Sequence, residues 1–139
     1  MAYRVVQTSK QLSAQRQIHR AIKHFRGGNF ECAITLSSAA ENQMPEPSSP
    51  TLFAMLKRGG AEIPSPDGVR DDFNHDANWM KHTVGPEETY IHEAEVKLWL
   101  NRAVGKYRLV YGKGTPEMAS LFAWAMRPVP EGLPDARDA

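Results

Sequence analysis

The sequence predicts an all-α, up-and-down helical bundle of four main helices plus short extra helices. Three observations point there. Apolar residues recur at spacings of three and four through most of the chain. Gly and Pro pairs fall between those stretches and leave room only for short connections. Alternating runs of strand type are nearly missing. At 139 residues and 15.6 kDa the chain suits one hydrophobic core, because two cores of half that size would each be marginal. The expected organisation is one bundle domain over residues 1–127 and a disordered, Pro-rich and acidic tail over 128–139.

The elements follow in order. Tyr3, Val5 and Val6 suit an extended arm or a short edge strand. Thr8 and Ser9 are candidate caps for a first helix, whose stripe is Leu12, Ile18, Ile22 and Phe25. Gly27 and Gly28 stop it. Asn29 can cap a second helix over 30–44, ended by Pro45. Ser49 followed by Pro50 opens a short helix over 51–58, which Gly59 and Gly60 close. The two prolines in 61–68 make that stretch a loop. A fourth helix is expected over about 69–82, and Gly85-Pro86 then launches the longest one, about 86–111. A final short helix covers 116–126.

Charge narrows the functional classes. Seventeen Lys and Arg oppose sixteen Asp and Glu, so the chain is neither a basic nucleic-acid coat nor an acidic tail protein. No apolar run approaches the length of a membrane span, and no secretory leader is evident at the start, so a cytoplasmic location is expected. The single Cys32 cannot form an internal disulfide, and in an apolar helix it is expected to be inert packing. The run Gly112-Lys113-Gly114 lacks the pattern of a phosphate loop and could hold a phosphate only loosely.

Projection at 100° per residue locates the informative polar groups. On the fourth helix, Phe73, Ala77, Met80 and Val84 form a core face. Asp71, Asn74, His75, Asn78 and His82 share the opposite face, rich in amides and imidazoles suited to hydrogen bonding and proton transfer. On the second helix, Glu41 lies inside the apolar face of Phe30, Ala33, Ile34 and Ser37. A carboxylate there must be paired or hydrogen-bonded, and Asn78, His82 and Arg102 are the first candidate partners. The long helix is apolar almost all round, which suits a central or interfacial position, and Glu95 and Arg102 lie on nearly one side of it. A di-iron bundle needs Glu-x-x-His on two helices, a pattern missing here, so no metal and no cofactor are expected.

Three segments together resemble a known family. The run Cys32-Ala33-Ile34-Thr35-Leu36-Ser37-Ser38-Ala39-Ala40-Glu41 resembles the AITLAGAAEE helix of bacterial HEPN-like proteins. Asn78-Trp79-Met80-Lys81-His82 resembles their RN-x-x-KH helix. Glu93-Ala94-Glu95, then Asn101-Arg102-Ala103 and Tyr107, resemble their last long helix. The resemblance implies a helical bundle, usually a homodimer. Active members are metal-independent ribonucleases of the toxin and defence type, with an Arg a few residues ahead of a His. His82 matches the His and Asn78 the polar residue that follows the Arg, but Ala77 stands at the Arg position, and Arg70 lies too far upstream.

The leading functional expectation is therefore a non-catalytic, HEPN-like, dimeric bundle. It would bind a nucleotide or RNA in a polar cleft of Glu41, Asn74, His75, Asn78, His82, Glu95 and Arg102. One alternative is a divergent metal-independent ribonuclease with His82 and Asn78 as its catalytic pair. Another is a metal- or small-molecule-dependent enzyme built on Glu41, His75, His82 and Glu95. The partners expected are a second copy and a nucleotide or RNA, with no membrane.

Overall fold

The computed structural model describes residues 2–59, 63–65, 68–70, 75–81 and 85–125. Its helices are α1 (Lys10–Arg26), α2 (Phe30–Gln43), α3 (Leu52–Gly59), α4 (His75–Lys81), α5 (Glu93–Tyr111) and α6 (Pro116–Ala125). They pack against one another as an all-α bundle. One short antiparallel hairpin interrupts the series, with β1 (Ile63–Ser65) paired to β2 (Gly68–Arg70) and Ile63 opposite Arg70. The expected tail at 128–139 lies outside the described residues.

Local chemistry sets the helix ends. Ser9 is extended and its Oγ accepts the Leu12 N–H at 3.0 Å, which satisfies one orphan donor at the start of α1. At the other end Gly27 N donates to the Lys23 carbonyl, and Gly28 turns the chain at φ +82. That turn folds α2 back onto α1 as an antiparallel pair. Asn29 begins α2 with its carbonyl, which accepts from Ala33 N at 3.1 Å; its side chain makes no capping bond.

Three expected boundaries move. Thr51 caps α3, its Oγ1 accepting the Ala54 N–H at 3.1 Å, so the helix starts one residue later than Pro50 and Thr51 suggest. The fourth helix does not begin at 69, because Val69 and Arg70 are engaged in the β-hairpin; α4 begins only at His75. The long helix does not begin at Pro86. The Pro86 carbonyl accepts the Trp79 indole N–H at 2.8 Å, and His92 Nδ1 caps α5 by accepting from Ala94 N at 3.1 Å. Glu93 and Glu95 then place negative charge in the first turn, where the helix dipole favours it.

The core runs between α1, α2 and α5 and is closed by α6. Ile18, Ile22 and Phe25 from α1 meet Ile34 from α2, Val96 and Leu100 from α5, and Leu121 from α6. Trp124 stacks edge-on against Phe25 with centroids 4.9 Å apart. The apolar girth of α5 is covered largely inside the protomer, since α1, α2 and α3 all pack on it and Trp99 is buried. Residues 2–9 form an exposed arm without regular structure, and Tyr3 and Val5 point into solvent. Among the described residues no helix is long and apolar enough to cross a membrane.

Candidate functional site

The polar groups buried in the bundle gather on facing sides of α2 and α5. On α5, Glu95, Trp99, Arg102 and Lys106 recur at spacings of four, three and four, so helical geometry places them in one stripe. On α2, Ser37, Ser38 and Glu41 are buried opposite. The two stripes meet at Glu41. Arg102 Nε donates to Glu41 Oε2 at 2.8 Å and Arg102 Nη2 to Glu41 Oε1 at 2.7 Å, a bidentate pair. Arg102 is 3% exposed and Glu41 8%, so the charges neutralise one another away from water.

Aromatic rings complete the enclosure. The Arg102 guanidinium carbon lies 3.9 Å from the Trp99 ring centroid and 4.1 Å from that of Phe53 on α3. A weakly hydrated, planar cation suits such a slot better than an ammonium would. Lys106 Nζ, buried in turn, donates to the Glu41 backbone carbonyl at 2.8 Å. That carbonyl lies in the last turn of α2, where no intrahelical donor remains, so Lys106 acts as a C-terminal cap from another helix. On the far side Lys81 Nζ donates to Ser38 Oγ at 3.2 Å and ties α4 to α2. Among the described residues the buried Ser37 Oγ has no hydrogen-bond partner.

The expected site residues divide accordingly. Glu41 and Arg102 are brought together, and Glu95 is buried two turns before Arg102 on α5. Asn78 is on α4 but exposed. His75 begins α4. Asn74 and His82 lie outside the described residues, as do Phe73 and Val84 of the expected core face. Ala77 is buried and Met80 packs on the core, as the projection of the fourth helix expects. Cys32 is exposed, contrary to the expectation of inert packing, because it sits on the side of α2 turned away from α1 and α5.

Sequence reasoning missed Lys106, Phe53 and the Lys81–Ser38 contact. Lys106 carried a usable signal, since it follows Arg102 by four residues on the same helix face. Phe53 carried none, because the approach of α3 to α5 is a tertiary contact.

With both oxygens of Glu41 held by one guanidinium, the carboxylate is not placed to take a proton from a substrate. Among the described residues no group of three His, Cys, Asp or Glu is arranged to hold a metal ion. His92 is engaged as a helix cap, and His19 is hydrogen-bonded to Thr115 Oγ1 at 2.7 Å. The segment Lys113-Gly114 lines an open groove of about 240 Å³ between α5 and α6, with Arg108, Thr115 and Met118. Thr115 there accepts the Met118 N–H at 3.3 Å and caps α6. No protein-family model, curated protein or solved structure matches the chain.

Proposed function

We propose that the chain is a non-catalytic, HEPN-like helical bundle that works by binding, as a homodimer, with a nucleotide or RNA as its ligand. The observation that carries the non-catalytic part is the bidentate Glu41–Arg102 pair with Lys106 on the Glu41 carbonyl. Glu41, Arg102 and Lys106 are spent on one another, which is what a helix-to-helix pin requires and what a catalytic carboxylate avoids. Ala77 at the family's Arg position adds to this, since it is buried in the core and offers no charge to a phosphate. The exposed apolar side chains Met55, Tyr90 and Leu109 support the dimeric part. The ligand class rests on the family resemblance.

The test incubates purified protein with single-stranded RNA without added metal and measures nucleotide and RNA binding in parallel. The proposal predicts binding with the RNA left intact. Metal-independent cleavage that disappears in His82→Ala would replace it with the ribonuclease reading.

A further inference from the structure

Charge is segregated along this chain. Residues 1–30 hold six Lys and Arg and no Asp or Glu, while the other 109 residues share eleven cations and all sixteen acids. A net charge of +1 therefore conceals a strongly basic first helix. Arg16, Arg20 and Lys23 follow one another on α1 at spacings of four and three, which is a single face. All three are exposed. Among the described residues none of these three side chains has an ion-pair or hydrogen-bond partner, and the carboxylate that approaches a side chain of α1 is that of Glu117, 3.6 Å from His19. Lys10 and Arg26 flank the stripe, Arg26 donating to Ser120 Oγ at 2.7 Å.

The helix dipole accounts for cations in the last turn, at Lys23 and Arg26, but not for Arg16 and Arg20 in mid-helix. Like charges four residues apart repel, so folding alone gives no reason for the stripe. From Arg16 to Lys23 it runs roughly 10 Å along the axis, at a helical rise of about 1.5 Å per residue. That length spans about three successive phosphates of one strand, spaced roughly 3.4 Å apart along a duplex axis. α1 carries no Tyr or Trp, and its Phe25 is buried. Of the two imidazoles flanking the stripe, His19 is held on Thr115 Oγ1 and His24 is half-buried, so the face offers no large exposed ring on which an unpaired base could stack. A rigid, convex, basic and non-aromatic face fits the regular phosphate ridge of a duplex better than a single strand.

We infer that the outer face of α1, through Arg16, Arg20 and Lys23, docks on the sugar–phosphate backbone of a double-stranded nucleic acid without reading its sequence. The face lies outside the Glu41–Arg102 cluster, and its test stands whether or not the bundle holds a nucleotide elsewhere.

The experiment measures anisotropy of a labelled 20-base-pair DNA duplex, its A-form RNA counterpart, and a single strand of equal length. Salt is varied from 50 to 200 mM. With three phosphate contacts the log of the duplex affinity should fall with log salt at a slope of about −2.7. Arg16→Gln/Arg20→Gln should bring that slope to about −1 and weaken binding at least tenfold at the low-salt end. Ser48→Glu/Ser49→Glu, with the same change in net charge on an exposed loop, should leave the slope unchanged. Circular dichroism should show both variants folded, because the altered side chains are exposed. Four results would overturn the inference. They are no duplex binding at 50 mM salt; equal losses in the two variants; tighter single-strand binding that Tyr3→Ala removes; and binding to anionic vesicles in place of the duplex.

Discussion

Glu41 shows how one residue can be legible in type and illegible in role. A carboxylate inside an apolar helical face signals a buried partner, and Arg102 is that partner. What the sequence could not distinguish is a carboxylate poised for chemistry from one already satisfied, because that depends on the approach of α5 and on two rings from different helices. The satisfied state makes a definite prediction. Glu41→Ala leaves a desolvated guanidinium between Trp99 and Phe53, and chemical denaturation should show a loss of about 3–5 kcal/mol. Lys106→Met removes the cap on the Glu41 carbonyl together with the longer contact to the exposed Glu46 carboxylate, and should lose about 1–2 kcal/mol. Ser37→Ala should behave oppositely. Its hydroxyl is fully buried without a described partner, so the alanine variant should be as stable as the parent or more so by up to about 1 kcal/mol. A Ser37→Ala loss above 2 kcal/mol would mean the hydroxyl has a role the bundle depends on.

At the scale of elements, legibility followed locality. The ends of α1 were readable because Ser9 and Gly28 act within a few residues of themselves. The start of the fourth helix was not, since the hairpin at 63–70 carries two prolines' worth of loop signal and only a three-residue strand on each side. The late start of α5 was hidden for a different reason. Gly85-Pro86 is a plausible helix opening, but the Pro86 carbonyl goes to Trp79, and a histidine cap six residues on wins. Two substitutions test these assignments by thermal unfolding. Gly28→Ala meets no atoms around its new methyl but must hold φ at +82, so it should lose about 1–2 kcal/mol from conformation alone. Ser9→Ala should lose about 1 kcal/mol by freeing the Leu12 N–H. A neutral Gly28→Ala would mean the turn between α1 and α2 is not fixed as described.

For the molecule as a whole, the all-α bundle was readable from periodicity and punctuation, whereas its polar centre was readable only in part. Asn78 lies exposed on α4, and Glu41 and Arg102 close on one another. The apolar girth of α5, which suggested an interface, is absorbed largely by α1, α2 and α3. The proposed dimer therefore rests on other exposed apolar side chains, of which Met55, Tyr90 and Leu109 belong to the bundle and Tyr3, Val5 and Val6 to the arm. Light scattering at micromolar concentration should give twice the 15.6 kDa chain mass, and Leu109→Glu should shift it toward the single chain. A mass of one chain for the parent would remove the dimer from the proposed function.

The central claim is that the buried ion pair is a structural pin rather than catalytic machinery, and a double-mutant cycle on unfolding free energy tests it most directly. Glu41→Leu and Arg102→Met each leave one buried charge unpaired, and each should lose about 3–5 kcal/mol. The double variant removes both members of the pair, and apolar replacement of a buried pair is often neutral, so it should return to within about 1–2 kcal/mol of the parent. Single variants that stay within about 1 kcal/mol of the parent while losing an RNA-cleaving activity of the parent would contradict the claim and make Glu41 and Arg102 functional groups.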